Sequence, residues 1–68
     1  MRITLNGKPH ALDGAVDVIT LLKSLNVKPE QVALAINGEV VPRREWPRTS
    51  VSEGDTVEVV RAVGGGAR

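Results

Sequence analysis

Val32-Ala33-Leu34-Ala35-Ile36-Asn37-Gly38-Glu39-Val40-Val41-Pro42 is the stretch on which the fold turns. From Gln31 to Ile36 the pattern alternates, with Val32, Leu34 and Ile36 on one face and Ala33 and Ala35 on the other, as in a strand that buries one side. Asn37-Gly38 is the dipeptide that best tolerates positive φ at both central positions of a type I′ turn. Glu39 to Val41 then returns as a short strand, and Pro42 ends it. The stretch is a hairpin.

The same signal occurs nearer the N-terminus. Met1, Ile3 and Leu5 share one face and Arg2 and Thr4 the other, so the first residues form a half-buried strand that turns at Asn6-Gly7. Lys8 to Leu12 returns, and Pro9, which has no amide hydrogen to donate, places that strand on a sheet edge. After the Asp13-Gly14-Ala15 connection, Val18, Leu21, Leu22 and Leu25 fall at helical spacing. A helix is predicted over about Val16 to Leu25, with Asp17 in its cap or first turn, Lys23 favouring its C-terminal end, and Asn26 and Pro29 ending it.

On the other side of the hairpin, Arg43 to Thr49 reads as a loop or single helical turn in which Trp46 covers one end of the core. Ser52-Glu53-Gly54-Asp55 is a turn, with Glu53 and Asp55 serving turn chemistry. Thr56 to Val63 is the last and longest strand, with Val57 and Val59 inward and Glu58, Val60 and Ala62 outward. The order is strand, strand, helix, strand, short strand, strand. A right-handed crossover places the last strand beside the first in the sheet centre. The expected architecture is α+β, a mixed sheet of four to five strands with one crossover helix: the β-grasp, or ubiquitin-like, fold. Residues 1–63 make the single domain and residues 64–68 a flexible glycine-rich tail.

Composition narrows the function classes. In a chain of 68 residues, folding buries only about 60% of the unfolded surface, so the stability expected is marginal. There is no cysteine and one histidine, which removes disulfides, thiolate nucleophiles and a zinc cluster. Nine Lys and Arg balance eight Asp and Glu, so neither a nucleic acid nor a membrane is an expected partner. Phe and Tyr are absent and Trp46 is the only aromatic. The core must be aliphatic, and stacking platforms for bases are disfavoured. With no signal-peptide pattern and no membrane-length apolar run, the cytoplasm is the expected location.

Gly64-Gly65-Gly66 follows the last apolar strand directly. No helix follows, so the run is not a phosphate-binding loop. Residues without a Cβ can pass a narrow tunnel, and three extended glycines reach about 10 Å. A slender arm entering another enzyme's active site explains the run, and a passive tail is the alternative.

Val32 to Arg43, together with Trp46, Gly54-Asp55 and the glycine run, resembles the ThiS family of thiamine-biosynthesis sulfur carriers. The similarity covers nearly the whole chain, though it is weak before Val32. The resemblance implies a carrier, not an enzyme, and no cofactor of its own. A ThiF-like adenylyltransferase would use ATP to activate the C-terminal glycine, Gly66 here, as an acyl-adenylate. Sulfur from a donor such as a cysteine desulfurase would then leave a thiocarboxylate, which a ThiG-like thiazole synthase consumes. Gly64 and Gly65 would thread the tail into the partner. The family pattern ends at the diglycine, Gly65-Gly66, and Ala67 and Arg68 lie beyond it. Either a peptidase exposes Gly66, or the two residues are not native, or the product does not work as a carrier. A molybdopterin-synthase small subunit, another ubiquitin-like carrier and a noncatalytic β-grasp interaction module are the alternatives.

Ala35 and Val60 lie on the face predicted to be opposite the helix, and with Ala62 they could form a small apolar docking patch beside the tail. Arg43, Arg44 and Arg48 read as a solvated basic loop, Arg61 as strand-edge charge and His10 as an exposed side chain.

Overall fold

The computed structural model describes residues 1–61. Its elements are β1 (Arg2–Leu5), β2 (Lys8–Ala11), β3 (Val16–Asp17), α1 (Val18–Ser24), β4 (Val32–Ile36), β5 (Glu39–Val40), β6 (Ser50–Val51) and β7 (Thr56–Arg61), with 3-10 turns at Pro29–Gln31 and Arg43–Arg48. The last strand is thus followed as far as Arg61. Ala62, Val63 and the segment 64–68 lie outside the described residues.

Both Asn-Gly hairpins form as their sequences require. Asn6 and Gly7 have φ of 50° and 83°, and Asn37 and Gly38 have 52° and 87°, the doubly positive φ of a type I′ turn. These turns set the registers Leu5↔Lys8 and Ile36↔Glu39. The crossover through α1 brings β7 between the two hairpins, giving the sheet order β2-β1-β7-β4-β5. There β7 runs parallel to β1, with Thr4 opposite Thr56, and antiparallel to β4, from Val32↔Arg61 to Ile36↔Val57. The central position and the parallel pairing are those expected of a β-grasp.

Alternation decides what is buried. Ile3, Leu34 and Val57 point from neighbouring strands to one face, where they meet Val18, Leu21 and Leu22 of α1 in a core also containing Val32, Trp46 and Val51. Trp46 is carried into it by the Arg43–Arg48 turn, is 1% exposed, and donates its indole N–H to the Val41 carbonyl at 2.9 Å. An otherwise aliphatic core thereby holds one large aromatic whose single polar atom is satisfied. The Arg43 guanidinium lies 5.5 Å from the Trp46 ring centroid, a cation–π contact. Arg44 and Arg48 flank the Glu45 carboxylate at 3.9 and 3.8 Å. Arg43, Arg44 and Arg48 are all exposed, as a solvated basic loop requires, and Arg43 in addition lies over the Trp46 ring.

Four expectations need correction. The helix starts at Val18, not Val16, because Val16 and Asp17 pair with Val51 and Ser50 in a two-stranded ladder and Val18 N–H donates to the Thr49 carbonyl. Leu25 is its C-cap, so the helix is shorter at both ends. Gln31 belongs to the turn opened by Pro29, and β4 begins at Val32. His10 is half-buried, because it stands opposite Ile3 in the β1–β2 register and so shares the core-facing side of the sheet.

Asp17 is the N-cap. Its Oδ1 accepts the Thr20 N–H at 2.9 Å, and hydrogen bonding from Thr20 holds the carboxyl below its ordinary pKa, with Lys23 adding a smaller effect. Because the folded-state pKa is depressed, the stabilisation is fully present above the ordinary carboxylate value of 3.8 and is lost as pH falls through the folded value. Chemical denaturation from pH 6 to pH 2.5 should therefore show Asp17→Ala less stable than the parent at the high end and the gap closing at the low end. The core makes a larger prediction. Trp46→Ala should lose about 3–5 kcal/mol, against a total of roughly 3–10 kcal/mol for a chain of this length. Circular dichroism in urea should find the variant largely unfolded or close to it.

Candidate functional site

β7 is the last described element before the glycine run, which begins three residues after Arg61 in the sequence, so what holds β7 matters for the site. Each hairpin turn contributes an asparagine to it. Asn37 Oδ1 accepts the Thr56 N–H at 2.9 Å, and its Nδ2 donates to Asp55 Oδ1 at 3.1 Å. Asp55 Oδ2 in turn accepts the Ser52 N–H at 2.8 Å. At the other end of the strand, Asn6 Oδ1 accepts the Val59 N–H at 2.8 Å and Asn6 Nδ2 donates to the Val59 carbonyl at 3.3 Å. Glu53 fixes the preceding turn by accepting the Arg2 N–H at 2.8 Å. The paired acids Glu53 and Asp55 are therefore turn and clamp residues.

The face of the sheet away from α1 carries an apolar depression. Val60 stands opposite Ala33, and Ala35 lies between Glu58 on one side and Val40 on the other. With Leu34, these residues line a shallow cavity of about 220 Å³. Val40 and Val60 are 75% and 60% exposed and are the large exposed hydrophobics among the described residues. Of the three residues expected in the patch, Ala35 is half-buried and Val60 is exposed beside it. Ala62 falls outside the described residues, as do Gly64, Gly65 and Gly66. Ala33 and Val40 complete the patch. Val40 was legible in principle, because counting outward from the two-residue turn puts it opposite Ala35 on the same face.

A second depression, about 290 Å³, opens between the end of α1 and the sheet. It is lined by Leu5, Leu25, Val27, Val32 and Val59, with Asn6 and Arg61 on its rim. Arg61 is exposed, as expected of strand-edge charge. Among the described residues no charged or polar side chain is buried, and no three His, Cys, Asp or Glu side chains come together. No helix among them is long and apolar enough to cross a membrane. The described surface thus offers apolar contact area on the sheet face and beside the end of α1.

The sequence profile of the ThiS family matches residues 3–66, from Ile3 in β1 to the last residue of the glycine run. The chain belongs to the ThiS family. It is 32% identical to the sulfur carrier protein ThiS of Escherichia coli over 66 residues, which cover 97% of this chain and 100% of that protein. The crystal structure of the thiamine biosynthesis protein ThiS from Geobacter metallireducens superposes with a TM-score of 0.86 at 42% identity, covering 97% of this chain and all of that one. Two thiazole synthases also match, from Magnetococcus marinus at 39% over 66 residues and from Paramagnetospirillum magneticum at 33% over 67 residues. The chain spans about a fifth of the length of these two relatives, 20% and 21%. The ThiS structure carries the same β-grasp fold along almost the whole chain.

Proposed function

We propose that this chain is a sulfur carrier of thiamine biosynthesis in which Gly66 is the sulfur acceptor. The observation that carries the reading is the family match, which runs through Gly64 and Gly65 and stops at Gly66. A ThiF-like adenylyltransferase uses ATP to convert the Gly66 carboxylate to an acyl-adenylate, expelling pyrophosphate. A cysteine-derived persulfide, supplied by a cysteine desulfurase, displaces AMP to give an acyl disulfide. A thiol reductant then cleaves its S–S bond, leaving the thiocarboxylate on Gly66 and the donor cysteine in a disulfide with that thiol. A ThiG-like thiazole synthase takes up that sulfur. The similarity of part of two thiazole synthases to this chain favours that last partner. On this reading the protein is a substrate and sulfur donor, and the enzymes that act on it supply the catalysis.

Docking would use the sheet face. The patch of Ala33, Ala35, Val40 and Val60 is apolar, and Val60 contributes to it from β7, the last described strand before the glycine run. Burying such a patch drives association, while the glycines require little room beyond the backbone.

Two outcomes test the reading. Intact-mass spectrometry after incubation with adenylyltransferase, ATP, cysteine and a desulfurase should show a chain ending at Gly66 gaining the mass difference between sulfur and oxygen. The chain with Ala67 and Arg68 attached should stay unchanged, and adenylation of both forms at one rate would refute the need for their removal. Val60→Asp should leave stability within about 1 kcal/mol while lowering kcat/KM for adenylation by about tenfold or more, because the carboxylate would be buried unpaired in the complex. Unchanged kinetics would show that the patch is not the docking surface.

A further inference from the structure

We propose that Asn6 is a positioning residue for the C-terminal arm: its side-chain amide extends the pairing of β7 beyond the end of β1 and thereby sets where the arm leaves the body. The proposal rests on the carrier reading for its consequence, but its physical basis is geometric.

The parallel ladder between β1 and β7 has Cα partners only at Thr4↔Thr56 and Leu5↔Val57. Asn6 N–H donates to the Val57 carbonyl at 2.9 Å, and there β1 turns away through Asn6-Gly7. The next β7 residue whose N–H and carbonyl point to that side is Val59, because these groups alternate along a strand. Both are taken by Asn6, whose Oδ1 accepts the N–H and whose Nδ2 donates to the carbonyl. A primary amide has the same donor and acceptor as a peptide unit, so this side chain stands in for the residue that β1 lacks. Beyond Val59, among the described residues, β7 is paired through β4 alone, with Ala33 opposite Val60 and Val32 opposite Arg61.

The turn itself does not demand this. A type I′ turn needs positive φ, which glycine supplies as readily as asparagine. Removing the Asn6 amide would retract two-sided support of β7 from Val59 to Val57, a length of strand of roughly 7 Å. The strand beyond Val57 would then be less fixed, and a partner enzyme would have to order it on binding. The chemistry at Gly66 would be untouched once the arm is seated.

Asn37 provides an internal control. It has nearly the same φ, sits at the same position of its own Asn-Gly turn, and makes the same kind of contact, with Oδ1 on a β7 N–H. That contact is at Thr56, the end of β7 remote from the tail.

Asn6→Gly and Asn37→Gly should therefore be compared in the chain ending at Gly66. Amide hydrogen exchange should speed up by about tenfold at Val59 in Asn6→Gly and at Thr56 in Asn37→Gly, the worth of one ordered backbone position. In steady-state adenylation, Asn6→Gly should raise KM for the carrier by about tenfold with kcat within about twofold, and Asn37→Gly should leave KM unchanged. An equal rise in KM in both variants would mean general destabilisation and would overturn the proposal, as would unchanged exchange at Val59 or unchanged KM in Asn6→Gly. If the parent chain is not adenylated, the carrier reading fails, and the exchange comparison alone then upholds or overturns the clamp.

Discussion

The structure depends on one pairing: the last strand of the chain lying between the first and the third-last strands of the sheet. Two isolated hairpins are marginal in water, and β7 is what joins them, matched residue for residue with β4 along Val57–Arg61 and with β1 at Thr56 and Val57. The contacts it brings are far apart in sequence, as when Glu53 accepts the Arg2 N–H or Asn6 meets Val59. Loop closure must precede such contacts, so the sheet is completed only when its C-terminal strand arrives. The helix, by contrast, is local. Its seven residues carry an Asp17 cap and bury Val18, Leu21 and Leu22, but it has nothing to pack on until Val57 and Leu34 stand beside Ile3.

That constraint shapes the surface. A central strand is buried on one face by α1 and exposed on the other, so Val57 is enclosed while Val60 is open. The open face carries an apolar patch where β4 lies between β7 and β5, since Val40, Ala35, Ala33 and Val60 fall in adjacent rows there. The remaining edges are closed to pairing. Pro9 lies in β2, β5 is two residues long, and the Val32 carbonyl beyond β5 accepts a hydrogen bond from Arg43 Nη2 at 3.4 Å. Short edges and prolines are common protections against unwanted strand addition.

Most of this was legible from residue order because the decisive signals are short and local. Asn6-Gly7 and Asn37-Gly38 give the hairpins and their registers. The spacing of Val18, Leu21 and Leu22 gives the helix face, and alternation assigns Val57 inward and Val60 outward. What the pattern missed has a common cause. The β3–β6 ladder is two residues on each side, too short to show any period, and it claimed Val16 and Asp17 from the predicted helix. His10 was misjudged because its own strand is polar, and its half-burial comes from the cross-strand neighbour Ile3. The cation–π contact of the exposed Arg43 with Trp46 could not be read from the sequence because it depends on how the 3-10 turn folds back. The clamping roles of Asn6 and Asn37 were hidden for the same reason: the turn explained both residues, and their side-chain partners are 53 and 19 residues away.

The distribution of polar groups separates what the body does from what its end would do. Among the described residues the fully buried residues are all hydrophobic, and no buried side-chain nitrogen or oxygen lacks a hydrogen-bond partner. The Asp17 carboxylate caps a helix. The hydrogen-bonded polar side chains of the body serve its geometry, in turns, caps and the two asparagines along β7. For a chain whose family match extends to Gly66, that is a coherent allocation. On the proposed carrier reading the body would present a recognisable face and a firmly held last described strand, and β7 contributes to both.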